Sequence, residues 1–341
     1  MRSFLTALVD AWPRLAGAPL GLARPRLMKA SSRPGANLPL VFFLFEEGAG
    51  EPAYVLKVNR NVAWPDGILR EYRNYSAIYT RVADAGLRIP RPLFCDHVDA
   101  HVVLCETYVP GHRLEDRFFS SRVGWWRRRA LEGFLDKAMG WAREFHRRTL
   151  VDTRVIDAEC LAADFETQLA RVRQRADVSA PLRDGLVRFE RTLERLRGRA
   201  WPVTAVHGDF DHGNVLVEGD KLGVVDWEDC EPAGDPFVDL AYLIFDLALV
   251  SDLGVARERR LAAFFAPGGW TDGIVRALVR DHARALGADP DLFFLTLPRT
   301  VSALLTRDWG PGRDPRSIPL CSPDMLEFTL ALSGRMNGAH A

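Results

Sequence analysis

Val206-His207-Gly208-Asp209-Phe210-Asp211-His212-Gly213-Asn214-Val215-Leu216-Val217 is followed, after a short gap, by Gly223-Val224-Val225-Asp226-Trp227-Glu228. An Asp follows a short apolar run, an Asn comes five residues later, and a second Asp ends the next apolar run. These side chains end in hard oxygen atoms, two carboxylates and one amide carbonyl. One carboxylate and one amide oxygen suit a Mg2+ ion. The remaining carboxylate can orient a hydroxyl and take its proton. Those are the demands of phosphoryl transfer from a nucleotide. The charge pattern agrees. The chain carries 45 Lys plus Arg and 45 Asp plus Glu, yet residues 201–240 hold ten acids against the single Lys221, a net of −9. Residues 1–110 carry 13 basic and 10 acidic residues, and 111–200 carry 20 and 14.

Working outward, the preceding segments alternate between strand and helix patterns. Leu40-Val41-Phe42-Phe43-Leu44-Phe45 and Ala53-Tyr54-Val55-Leu56-Lys57-Val58 read as a hairpin across the Gly- and Pro-containing 46–52. Residues 67–84 space Leu69, Tyr72, Ile78, Tyr79 and Val82 as a helix, stopped at Gly86. Strands at 92–95 and 101–107 follow, ended by Pro110-Gly111. Beyond Gly111 the chain turns helical, with patterns at 124–148, 160–177, 181–198, 237–250, 255–265, 271–286 and 323–334. Short strands at 203–206, 215–217 and 222–225 flank the acidic stretch.

Composition narrows the class. Apolar residues make up 48% and charged residues 26%, which is globular rather than disordered. Five cysteines (Cys95, Cys105, Cys160, Cys230, Cys321) share no paired spacing, so neither a disulfide framework nor a zinc site is expected, and a cytoplasmic location is the simplest reading. The start, Met1-Arg2-Ser3-Phe4-Leu5, reads as an amphipathic helical extension rather than a secretory leader, because Asp10 and Arg14 interrupt its apolar run. No uncharged stretch reaches the ~20 residues of a membrane span. Arg127, Arg128 and Arg129 read as a solvated helix face, and no nucleic-acid partner is expected.

The motifs together resemble the aminoglycoside phosphotransferase and choline kinase family. That family carries His-Gly-Asp with Asn five residues on, then Val-Asp-Trp-Glu, here 207–214 and 225–228. Gly234-Asp235-Pro236-Phe237-Val238-Asp239-Leu240-Ala241 matches its helix start, and Tyr108-Val109-Pro110-Gly111 its hinge. The resemblance spans roughly residues 30–250 and rests on four ordered motifs. It implies an α+β, protein-kinase-like, two-lobed fold with a small β-sheet N-lobe and a mostly helical C-lobe. The expected divisions are an extension at 1–29, an N-lobe at 30–108 and a C-lobe at 109–341.

The implied activity is an ATP- and Mg2+-dependent transfer to a hydroxyl of a small molecule, with GTP as an alternative donor. The acceptor would be aminoglycoside-, amino alcohol- or sugar-like, and Glu228, Asp229 and Glu231 favour a cationic one. Asp209 is the implied catalytic base, and Asn214 and Asp226 the implied metal ligands. Lys57 would bind the nucleotide's phosphates, with Glu71 holding Lys57. Glu106 and Tyr108 would border the nucleotide at the hinge. Ser31 and Ser32 head the best phosphate-covering loop, 31–37, since no Gly-x-Gly-x-x-Gly is present. Taken singly, Asp209 and Asp226 also fit turn or capping positions, Asn214 a turn amide, Lys57 a solvated strand end, and Glu71 a local pair with Arg70 or Arg73. The competing class is a catalytically inactive kinase-like module that binds nucleotide or acts as a scaffold.

Overall fold

The computed structural model describes residues 2–17, 25–31, 39–61, 66–113, 124–157, 180–251, 255–306 and 323–335. The first elements are α1 (Arg2–Ala16), β1 (Arg26–Ser31), β2 (Leu40–Phe45), β3 (Pro52–Val58), α2 (Asp66–Val82), β4 (Pro92–Val98), β5 (His101–Thr107) and β6 (His112–Arg113). Then come α3 (Gly124–Arg148), β7 (Asp152–Val155), α4 (Ala180–Leu196), β8 (Ala200–Val206), β9 (Val215–Glu218), β10 (Lys221–Val224) and β11 (Glu231–Gly234). The chain closes with α5 (Phe237–Val250), α6 (Arg257–Phe264), α7 (Trp270–Ala285), α8 (Leu292–Thr306) and α9 (Pro323–Arg335). Two compact units result. One is built from Met1–Arg113 with Asn214–Pro232, the other from Leu114–Gly213 with Ala233–Trp309 and Asp314–Ala341.

The first unit holds a five-stranded antiparallel sheet in the order β1-β2-β3-β5-β4. Side-chain alternation along β5 gives the sheet two buried faces. Val103 and Cys105 join Phe42, Leu44, Leu56 and Val58 on one face, and Val102 and Leu104 meet Ile68 of α2 on the other. Helix α1 completes the first face. Its Leu8 and Trp12 are buried in that cluster, and the Trp12 ring lies 5.0 Å from Tyr54 and 5.5 Å from Phe94. The 1–29 extension thus contains both a helix and most of a fifth strand. Strand β1 carries no apolar alternation because it is an exposed edge, held by its backbone pairing with β2 from Arg26↔Phe45 to Ser31↔Val41.

The β9–β10 hairpin docks in this same unit. β6 pairs with β9, His112 against Val217, and the Val224 N–H donates to the Arg88 carbonyl at 3.0 Å. Contact is close enough to demand glycine. A Cβ on Gly223 would lie 2.4 Å from Val109 Cγ1. Gly111, at φ +144°, has Leu216 Cβ 2.9 Å from where its own Cβ would stand.

In the second unit, α3 buries Leu131, Phe134, Leu135, Ala138, Met139, Ala142 and Phe145. Helix α5 is buried along most of its length, from Phe237 to Leu249. Trp141 stacks on Phe145 and on Phe210, at 5.1 and 5.6 Å. Helix α8 has no counterpart in the sequence reading, because Pro298 inside it looks like a breaker. Burial of Phe293, Leu297, Val301 and Leu304 outweighs that local cost. The helical pattern at 160–177 lies outside the described residues, as do residues 114–123 and 307–322. No described helix is long and apolar enough to cross a membrane.

Replacing Gly223 with Ala should cost on the order of 1–3 kcal/mol, since Val109 must move to admit the methyl group. Urea unfolding measures this, and an unchanged midpoint would contradict the close packing.

Candidate active site

Strand β3 ends in three buried residues, Leu56, Lys57 and Val58. Lys57 is 5% exposed, a position where an unpaired ammonium would be costly. Two carboxylates meet it. Lys57 Nζ donates to Glu71 Oε1 at 2.5 Å and to Asp226 Oδ1 at 2.8 Å. Glu71 stands in the buried stripe of α2, with Ile68, Tyr75, Ile78 and Val82. It therefore points at the sheet, where it pairs with Lys57. Lys57 lies opposite Leu104 on β5, and Glu106 lies opposite Val55 two residues along, on the same face of the sheet. Glu106 is 3% exposed, and its Oε2 has no hydrogen-bond partner among the described residues.

Three carboxylates thus share one ammonium. Burial alone would lower the Lys57 pKa, but Asp226, Glu71 and Glu106 hold it well above the usual lysine value. Burial pushes Glu71 up to about 8 and Glu106 up to about 7, against the pull of Lys57.

Asp226 and Asn214 meet through the hairpin backbone, where the Val225 N–H donates to the Asn214 carbonyl at 3.0 Å. Asp226 has φ +68°, a left-handed conformation that Asp tolerates better than most residues. The chain beyond it is gripped by α2. Trp227 is fully buried and stacks on Tyr75 at 5.0 Å. Asn74 Nδ2 donates to the Cys230 carbonyl at 3.0 Å, and Arg81 to the Pro232 carbonyl at 3.0 Å. The helix that supplies Glu71 therefore also fixes the segment carrying Asp226. No local sequence pattern marks Asn74, Tyr75 and Arg81 as site residues, since their partners lie about 150 positions away in sequence.

Other expected residues fall as follows. Asn214 is buried, and Asp226 is partly exposed. Their amide and carboxylate oxygens are the donor set that a Mg2+ ion prefers. Tyr108 donates its backbone N–H to the Ala53 carbonyl at 2.9 Å and sets its ring edge-on to Phe43 at 5.8 Å. Ser31 ends β1 opposite Val41. Ser32 and the rest of the loop to Asn37 lie outside the described residues.

Asp209 belongs to the second unit, just past β8. Its segment is built on the carboxylate of Asp239, which is 1% exposed at the start of α5. Asp239 Oδ2 accepts the His207 N–H at 2.9 Å, and Oδ1 accepts the Gly208 N–H at 2.9 Å. Gly208 sits at φ +82°, which puts the turn into Asp209 within glycine's range. His207 Nδ1 accepts the Asp209 N–H at 3.3 Å, so this histidine supports the loop backbone. His146 of α3 also reaches Asp239 Oδ2, at 3.0 Å, and its Nδ1 lies 3.1 Å from His282 Nε2. Burial favours a neutral Asp239, but the bonds from His146 and His207 hold its pKa below the ordinary value. His282 is driven well down by burial and by the nearby His146 and Arg143, so it is neutral. Asp235 is buried too, and accepts from the Phe237 N–H at 2.9 Å and from Thr296 Oγ1 at 2.7 Å.

Because folding raises the Glu106 pKa, its neutral form fits the fold and its charged form costs stability. The cost is absent below pH about 4.5, the unfolded value, and grows as pH rises toward about 7. Glu106→Gln should therefore raise the melting temperature at pH 8 while changing little at pH 4.5. The difference corresponds to at most about 3 kcal/mol. Melting curves of both proteins across that range check the sign, and equal gains at both ends would refute the assignment.

Among solved structures, aminoglycoside phosphotransferase APH(4)-Ia shares 18% identity with this chain at a TM-score of 0.53, covering 98% of this chain and 99% of that one. A thermostable mutant of the same enzyme in a ternary complex with ADP and hygromycin B aligns at 18% identity and TM-score 0.52, over 98% and 99%. Another, with AMP-PNP and hygromycin B, gives 18% and 0.53 over 98% and 100%. At such identities the likeness shows the fold, an α+β architecture of the protein-kinase-like type. No curated protein matches the chain. The model of the phosphotransferase enzyme family matches residues 33–278, well over half of the 341 residues, and the chain belongs to that family.

Proposed function

We propose that the protein transfers the γ-phosphate of ATP, with Mg2+, to a hydroxyl group of a small molecule. The observation that carries this reading is the buried Lys57, bonded at once to Glu71 and to Asp226. An ammonium so fixed is suited to the α- and β-phosphates of a nucleotide. Asn214 and Asp226 would hold the Mg2+ ion, which when bound neutralises charge on the phosphates. Asp209 orients the acceptor hydroxyl and takes its proton. The acceptor oxygen forms its bond to the γ-phosphorus as the bond to the bridging oxygen breaks, leaving ADP. Glu106 and Tyr108 border the nucleotide, and Ser31 and Ser32 head the loop over its phosphates. GTP is the alternative donor.

Acceptors of the aminoglycoside, amino alcohol or sugar type fit the family. Two of the fold neighbours named above are ternary complexes with hygromycin B, which supports testing such compounds first. Glu228, Asp229 and Glu231 favour a cationic acceptor over a neutral one.

An ATP-consumption screen over hydroxylated amines, amino alcohols and sugars tests the reading. On any acceptor found, Asp209→Ala should lower turnover at least about 100-fold with nucleotide affinity retained. Full turnover in that variant would remove Asp209 from the mechanism. Nucleotide binding without turnover on any acceptor would point to an inactive module instead. Should the acceptor be cationic, its KM is expected to rise as salt is added, as attraction between opposite charges is screened. A salt-independent KM would argue for a neutral acceptor.

A further inference from the structure

Helix α5 is apolar and buried, yet it carries two carboxylates, Asp239 and Asp246. They stand seven residues apart, close to two turns of an α-helix, so both lie on one side of it. Asp239 accepts the N–H groups of His207 and Gly208, ahead of Asp209. Asp246 holds the chain on the other side. Its Oδ2 accepts the His212 N–H at 3.0 Å and also bonds the Nδ1 of the same residue's ring. His212 is 7% exposed. Between the two grips the chain makes a tight turn, in which the Asp211 N–H donates to the Asp209 carbonyl at 2.9 Å.

We infer that Asp246, acting through His212, is a positioning residue for Asp209. A turn this short, clamped at both ends by one rigid helix, leaves the Asp209 peptide little freedom. Release of the His212 end would let the turn rotate about the Gly208 hinge and move the Asp209 carboxyl. Angstrom-scale misplacement of a catalytic group can cost about 100-fold in rate. A carboxylate that merely satisfied a buried histidine would need the ring alone. Asp246 takes the backbone N–H as well, as Asp239 does for two others, so the pair fixes main-chain position. The kinetic consequence rests on the phosphotransferase reading; the anchor itself does not.

The test uses the full chain as wild type, Asp246→Ala and Asp246→Asn, with amide hydrogen exchange and Mg·ATP turnover as readouts. Turnover is measured with an acceptor from the screen or, failing one, with water. In Asp246→Ala, exchange across residues 207–213 should speed up at least about tenfold while α3 and α5 keep their protection. Turnover should fall at least about tenfold with the KM for ATP within about twofold of wild type. The Asn variant keeps an oxygen for the His212 N–H and should recover part of both losses. Unchanged exchange at 207–213 in the Ala variant overturns the inference. So does a rise in KM without a fall in kcat, or loss of protection throughout the second unit in both variants. If the wild type turns over ATP neither with any acceptor of the screen nor with water, the phosphotransferase reading fails, and the exchange result alone decides whether Asp246 is the anchor.

Discussion

A single ammonium organises the first unit. Lys57 reaches from the middle of a five-stranded sheet to a helix carboxylate and to the carboxylate at the end of the β9–β10 hairpin. Removing Lys57 leaves its carboxylate partners without their cation, the costliest way to disturb such a cluster. The rest of the unit follows from keeping those groups at their distances. Glu71 occupies a stripe position on α2 where an apolar residue would otherwise pack. The same helix grips the segment after Asp226 through Asn74, Tyr75 and Arg81. Glycine at 223 lets the hairpin come within contact of Val109. Glu106 adds a third buried carboxylate, whose pKa burial raises.

The second unit solves a similar problem with the opposite charge. Its α5 helix carries carboxylates into an apolar interior, and each is compensated by N–H groups of the segment around Asp209. Backbone donors are obligatory hydrogen-bonding groups, so the loop and the helix stabilise one another. His146 and the neutral His282 extend that network into α3 and α7. The network is local to one unit, as the Lys57 cluster is to the other.

Much of this was legible in the sequence. The hairpin at 40–58 follows from two β-rich apolar runs parted by a Gly- and Pro-containing segment, and the helices at 66–82 and 124–148 follow from period-3.6 patterns, because each helix buries one face. The oxygen-bearing trio at 209, 214 and 226 stood out through its spacing. What escaped the reading depends on partners far along the chain. Strand β1 is an exposed edge defined by backbone pairing, which side-chain patterning does not record. Helix α8 hides behind Pro298, whose local cost is outweighed by burial of Phe293 and Leu297. The site role of Tyr75 appears once Trp227 is seen stacked on it. Asp246 shares a helix face with Asp239, a signal present in the spacing but meaningless until the loop is seen lying along that face.

The β6–β9 pairing has a consequence for how the chain is made. His112 lies against Val217, so residues 114–213 leave the first unit and return to it at adjacent strands. The second unit's first half is in effect an insertion whose two ends are side by side. During synthesis the sheet of β1 to β5 can form early, with α1 already covering its apolar face. Lys57 and Glu71 then wait for Asp226 until about a hundred further residues have emerged. Closing so long a loop through a flexible chain would carry an entropic cost of several RT. Prior folding of the insertion would remove most of it by bringing the returning strand to its neighbour. Assembly of the Lys57 cluster is thereby tied to completion of the inserted helices, and a ribosome stalled before Asn214 would display a sheet with its buried lysine only half paired.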